Sequence, residues 1–120
     1  LLDSPWPKLV KTRTALAREL EALPTAGPLA ATEDALVAGL LALLRDPAPA
    51  PDPHLPATGV SLEWERWLSP AFIRAPGYGT RCSSVVLRDR KGRTRFIEWT
   101  WDVDGELRSR VEHEFAAGTT

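Results

Sequence analysis

Cys82-Ser83-Ser84-Val85-Val86-Leu87-Arg88, then Asp89-Arg90-Lys91-Gly92, then Arg93-Thr94-Arg95-Phe96-Ile97-Glu98-Trp99-Thr100-Trp101 is the stretch that decides the fold. Two strand-like runs flank a four-residue turn, with glycine where a positive φ is needed. Asp104-Gly105 marks a second turn. After it, Leu107, Ser109, Val111, His113 and Phe115 alternate with Glu106, Arg108, Arg110, Glu112 and Glu114. Strict alternation predicts a half-buried strand. The last third is therefore expected to be three antiparallel strands.

Upstream the periodicity changes. Asp3-Ser4-Pro5-Trp6 reads as a helix start, with Ser4 as cap and Pro5 at the first helical position. Trp6, Leu9, Leu16, Leu20 and Leu23 follow at helical spacings, and Pro24 and Gly27-Pro28 end the run. A second helix is expected from Thr32 as cap, with Glu33 and Asp34 suiting the dipole of its first turn. Its wide stripe of Leu36, Val37, Leu40, Leu41, Leu43 and Leu44 wants cover on more than one side. Residues 46–57 are proline-rich and predict an extended, solvated loop inside the domain. Ser61 to Leu68 predicts a short helix stopped by Pro70. The fold class is α+β, two to three helices layered on one face of an antiparallel sheet, in one domain over 1–120.

Composition narrows the function classes. With 15 basic and 16 acidic residues the net charge is -1, which gives no general pull toward nucleic acid or anionic lipid. A single cysteine excludes an internal disulfide and fits a reducing, cytoplasmic setting. No apolar run approaches the roughly 20 residues of a membrane span. The chain contains no methionine and is expected to be one piece of a longer protein.

Four features invite chemistry. Pro76-Gly77-Tyr78-Gly79-Thr80-Arg81 delivers an arginine to a strand entrance beside the small residues Cys82, Ser83 and Ser84. Its planar fork suits a carboxylate of substrate or of protein, and a plain salt bridge is the alternative. Cys82 as a nucleophile needs a base and a lowered pKa. Nothing ties it to His54 or His113, so an inert, packed thiol is expected. Arg88, Arg90, Lys91, Arg93 and Arg95 lie near Trp99 and Trp101 but surround a turn, where charge is normally solvated. The two histidines are too few and too poorly supported for a metal site. No cofactor is expected.

Residues 68–87, Leu68-Ser69-Pro70-Ala71-Phe72-Ile73 through Tyr78-Gly79-Thr80-Arg81 to Val86-Leu87, resemble the C-terminal signature of the NRDE family, also called transport and Golgi organisation 2. The Asp89–Gly92 turn, Phe96-Ile97-Glu98 and the opening Pro5-Trp6-Pro7-Lys8 continue that likeness in order, weakest over residues 24–60. Trp99 stands where the family often has arginine, so that arginine's role does not carry over. The resemblance implies a fragment of an N-terminal-nucleophile-hydrolase-like αββα sandwich, the C-terminal part of a single domain. It implies a cysteine nucleophile outside this chain and action on a non-peptide amide. Arg81, supported by Tyr78 and Thr80, is the implied substrate-binding set, and no catalytic residue is expected within the chain. The implied partners are the rest of the same protein or a second copy completing the sheet, and a small-molecule ligand. A non-catalytic role in intracellular haem handling is the alternative the family offers.

Overall fold

The computed structural model describes residues 4–116; Leu1 to Asp3 of the opening motif and the residues after Ala116 lie outside them. The chain forms two compact units, Leu1–Tyr78 and Gly79–Thr120. The first carries helices α1 (Pro7–Glu21), α2 (Leu29–Leu44) and α3 (Leu62–Leu68). Two short strands, β1 (Arg74–Ala75) and β2 (Tyr78–Gly79), pair with each other. The second unit is a sheet of β3 (Cys82–Arg88), β4 (Thr94–Trp101) and β5 (Leu107–Phe115), in that spatial order. The α+β class is as expected. No helix among the described residues is long and apolar enough to cross a membrane.

The first helix starts later than the sequence reading placed it. Pro7, not Pro5, takes the first helical position, and Trp6 is the cap residue with an extended ψ of 140°. A residue before proline is pushed out of the α region, so Pro7 forbids Trp6 from joining the helix. Ser4 does not cap through its side chain; its carbonyl accepts from Trp6 N at 2.7 Å. No residue of α1 is buried, so the expected apolar stripe stays partly open to solvent.

The second helix starts earlier than expected, capped by Pro28. Thr32 is already inside, where both its N–H and its hydroxyl bond back to the carbonyl of Pro28 at 3.2 Å. The alanines ahead of it propagate a helix well, and nothing there breaks one. α2 packs on α1, where Gly39 lies against the Glu19 carboxylate; a side chain at 39 would displace it.

Residues 46–57 include one 3-10 turn at Asp52–His54, and they are pinned rather than simply solvated. Asp46 O accepts from Phe72 N at 2.9 Å, Ser69 Oγ from Ala50 N at 2.9 Å, and Glu65 Oε1 from Thr58 N at 2.7 Å. α3 has the expected bounds and the expected cap, Ser61 Oγ accepting from Trp64 N. Its buried residue is Glu65, while Leu62, Trp64 and Trp67 remain exposed.

In the sheet, Val85 pairs with Ile97 and Ser83 with Trp99. Ser83, Val85, Ile97, Trp99 and Trp101 are buried and share one face. The register of β5 puts Glu112 opposite Ile97 and Arg110 opposite Trp99, so charged side chains share that face. They satisfy one another. Glu112 bonds both Arg95 and Arg110, and Arg110 lies over the Trp99 ring at 5.6 Å. The alternating residues Val111, His113 and Phe115 fall on the opposite face and are exposed. The expected half-burial of β5 is therefore corrected: alternation sets two faces, but among the described residues nothing covers the apolar one.

Three acidic groups are held ionised by this scheme. The Lys11 ammonium and the backbone of Ala48 lower the pKa of Asp46, Arg66 lowers that of Asp52, and Arg110 and Arg95 lower that of Glu112. A carboxyl depressed in the folded state contributes stability above its ordinary value, which is lost as pH falls through the folded value. The urea midpoint should hold from pH 7 to about 5 and then fall steadily below about pH 4, where unfolded carboxyls titrate. A midpoint that is flat down to pH 3 would show that these pairs contribute nothing to stability.

Candidate functional site

The segment expected to carry function is built by one turn. Pro76 and Gly77 connect β1 to β2, with Gly77 at φ +70°, the glycine position of a proline-glycine turn. Space is not the constraint, because a side chain there would meet nothing within 4 Å. Backbone conformation is. The turn returns the chain as Tyr78-Gly79-Thr80-Arg81 and feeds it into β3.

Tyr78 closes the first unit and is exposed, its ring standing edge-on to Trp64 at 6.5 Å. Thr80 is half-buried. Arg81 is exposed and immediately precedes β3; its carbonyl accepts from Trp101 N at 2.8 Å. Among the described residues the Arg81 guanidinium has no hydrogen bond or ion pair. The plain salt-bridge alternative thus has no partner among them.

Of the three small residues beside Arg81, two face outward. Ser83 is turned into the core, where its Oγ accepts from Trp101 Nε1 at 3.0 Å. Ser84 lies on the open face and donates to Glu98 Oε2 at 2.9 Å. Cys82 is exposed, which corrects the expectation of a packed thiol. Strand parity is the reason: Ser83 and Val85 take the buried face, so Cys82 and Ser84 take the other. His113 shares that face, but it pairs with Phe96 and Cys82 with Thr100, a separation of about 14 Å along the strands. His54 lies in the first unit's 3-10 turn. Neither histidine is tied to the thiol.

The open face is graded. Next to Arg81 it carries Cys82, Ser84, Glu98, Thr100 and Ser109; towards the Asp89–Gly92 turn it carries Val86, Phe96, Val111 and Phe115 along with Arg88, Thr94 and His113. Sequence reasoning had singled out Glu98 only as part of a motif; its pairing with Ser84 is what places it at the polar end. Two of the five residues of the basic cluster are paired, Arg93 with Glu114 at 3.2 Å and Arg95 with Glu112 at 2.7 Å. Among the described residues no three His, Cys, Asp or Glu side chains group as metal ligands.

A second feature lies wholly within the first unit. A cavity of about 210 Å³ is lined by Trp6, Lys8, Glu65, Leu68, Ile73 and Tyr78, among others. Glu65 is only 5% exposed, and its Oε1 accepts from both the N and the Oγ1 of Thr58 at 2.7 Å. Lys8 Nζ donates to Leu68 O at 2.9 Å, and burial pushes its pKa down. No sequence signal pointed here, because the walls come from positions as far apart as Trp6 and Tyr78.

The second unit thus begins with an arginine that is exposed and has no partner among the described residues, and the first unit holds a cavity. A sequence profile of the family described as Transport and Golgi organisation 2 matches residues 1–103. The Transport and Golgi organization protein 2 homolog of Bos taurus is 40% identical over 103 residues, covering 82% of this chain and 35% of the relative. Its counterpart in Homo sapiens is 33% identical over 105 residues, with the same coverage. This chain belongs to the transport and Golgi organisation 2 family. It spans 35% of the length of these relatives.

Proposed function

We propose that this chain is the C-terminal part of a cytoplasmic protein resembling N-terminal-nucleophile hydrolases, and that it supplies substrate-orienting groups to a site that cleaves a non-peptide amide. The nucleophilic cysteine and its base, the free α-amine, belong to the rest of the protein. Arg81 cannot take a proton, so its contribution is to hold and polarise substrate. Tyr78 and Thr80 support it. The observation that carries this reading is the exposed Arg81 guanidinium, without a protein partner among the described residues, at the polar end of an uncovered sheet face. The apolar end of that face gives the proposed αββα arrangement its physical motive, since Val86, Val111 and Phe115 are about half exposed and would be buried by a second sheet. The edges β3 and β5, unpaired among the described residues, are the places where the rest of the protein or a second copy would complete the sheet.

The test uses the full-length protein with and without its N-terminal cysteine replaced by alanine. Turnover of a panel of non-peptide amides should disappear in the variant. Haem binding by both forms, with no turnover of any amide by either, would instead assign the pocket to a non-catalytic carrier.

A further inference from the structure

The cavity of the first unit holds two opposite charges that do not meet. Lys8 and Glu65 both line it, yet no ion pair within 4.0 Å joins them. Lys8 is anchored by one hydrogen bond and Glu65 by two, and each keeps unused capacity. Lys8 spends one of its three N–H donors on Leu68 O. Glu65 spends Oε1 on Thr58, and among the described residues Oε2 has no hydrogen-bond partner. No fully buried side-chain polar atom lacks a partner among those residues, so Oε2 reaches open space.

A carboxylate that is 5% exposed with one oxygen unengaged is costly unless something completes it. The Thr58 contacts explain Oε1 and why the loop is pinned; they leave Oε2 unexplained. The remaining walls include Trp6, Leu68, Ile73 and Tyr78, together with the hydroxyls of Thr58 and Ser69, which donate to Glu65 Oε1 and to Arg66 O. Size then limits the occupant. A cavity of about 150 Å³ takes benzene, and drug-sized ligands need roughly 300 Å³ or more. At about 210 Å³ the space suits one ring with a short polar tail.

We propose that this cavity binds a small zwitterion carrying one apolar ring, its ammonium meeting Glu65 and its carboxylate meeting Lys8, with the ring against Trp6 and Tyr78. The ligand bridges two charges that the protein leaves apart, which makes both groups necessary. The site is separate from the amide-cleaving reading: neither Arg81 nor a nucleophile enters it, and Tyr78 contributes only its ring.

The probe is L-phenylalanine, titrated calorimetrically into the intact protein beside benzylamine and phenylacetate, which each keep one charge. L-phenylalanine should bind in the micromolar to low-millimolar range, and each single-charge analogue at least about tenfold more weakly. Glu65→Gln keeps an oxygen to accept from Thr58, so its urea midpoint should stay near that of the parent while L-phenylalanine affinity falls at least about tenfold. Lys8→Met keeps the apolar stem and should lose a similar factor. No binding of L-phenylalanine to the folded parent would overturn the proposal. So would equal affinity for all three compounds, or affinity unchanged in both variants. The amide assay on the same samples is scored separately: lost turnover with retained L-phenylalanine binding, or the reverse, identifies which of the two readings has failed.

Discussion

Trp101→Ala is expected to cost about 3–5 kcal/mol, the largest effect of any single truncation in the sheet. Trp101 is 3% exposed, at the end of β4 where β3, β4 and β5 meet. Its indole Nε1 donates to Ser83 Oγ at 3.0 Å, so truncation removes a large apolar volume and strips the buried Ser83 hydroxyl of its donor at once. Neighbouring Trp99 is held by Arg110 and cannot swing in to fill the gap. A small domain has only about 5–15 kcal/mol in total, so much of the variant should be unfolded at modest denaturant. With urea slopes of about 1–3 kcal/mol/M, the midpoint should move by about 2 M, read by far-ultraviolet circular dichroism. Trp101→Phe keeps most of the volume and should lose about a third to a half of that. A shift for Trp101→Ala equivalent to less than about 1 kcal/mol would mean the sheet does not depend on this packing.

The parts of the fold legible in the sequence are those fixed by short-range chemistry. In both hairpins the aspartate that opens the turn folds its own side chain back. Asp89 Oδ1 accepts from Lys91 N and Arg93 N, and Asp102 Oδ1 from Asp104 N and Glu106 N. Gly92 and Gly105 take the positive φ that closes each turn. Such signals sit within a few residues, so strand bounds followed from them. Ser61 and Pro70 bracket α3 in the same local way. The start of α1 was less legible because two prolines compete for the first helical position, and only the second also constrains the tryptophan between them.

The burial pattern was largely illegible, for a different reason. Alternation in β5 separates apolar from charged residues but does not say which set meets the core. That depends on the register with β4, which puts Glu112 beside Ile97. Glu65 shows the same limit. Helical spacing identifies Leu62, Trp64 and Trp67 as apolar, yet the glutamate between them is buried because Thr58, seven residues earlier, folds onto it. Of the candidate site, Arg81 and its glycine-framed turn were readable, since conformational demands single them out. The cavity was not, because its charged walls are contributed by α1 and α3 and nothing in either segment names the other.

The second large effect concerns Arg81. Its guanidinium is exposed and engages no protein acceptor among the described residues, so Arg81→Ala should leave the urea midpoint within the small range of surface substitutions. Function should respond very differently. A charged hydrogen bond to substrate is worth about 1.5–3 kcal/mol, so kcat/KM for amide cleavage should fall by about 10- to 100-fold. Lysine restores the charge but not the planar fork, and a bidentate contact tolerates that exchange poorly. Arg81→Lys should therefore recover only part of the loss. Cys82 provides a contrast on the neighbouring position. Its thiol is exposed and lies about 14 Å along the strands from His113, and Cys82→Ser should leave turnover unchanged.

The decisive measurement is kcat/KM for a cleaved non-peptide amide in the full-length protein, compared across the parent, Arg81→Ala and Arg81→Lys at matched folded fraction. The expected order is parent, then lysine, then alanine, with the alanine variant down by at least about tenfold while its urea midpoint is unchanged. An Arg81→Ala protein that keeps the parent's kcat/KM, or loses activity only in proportion to lost stability, would contradict the assignment and leave Arg81 a solvated surface residue.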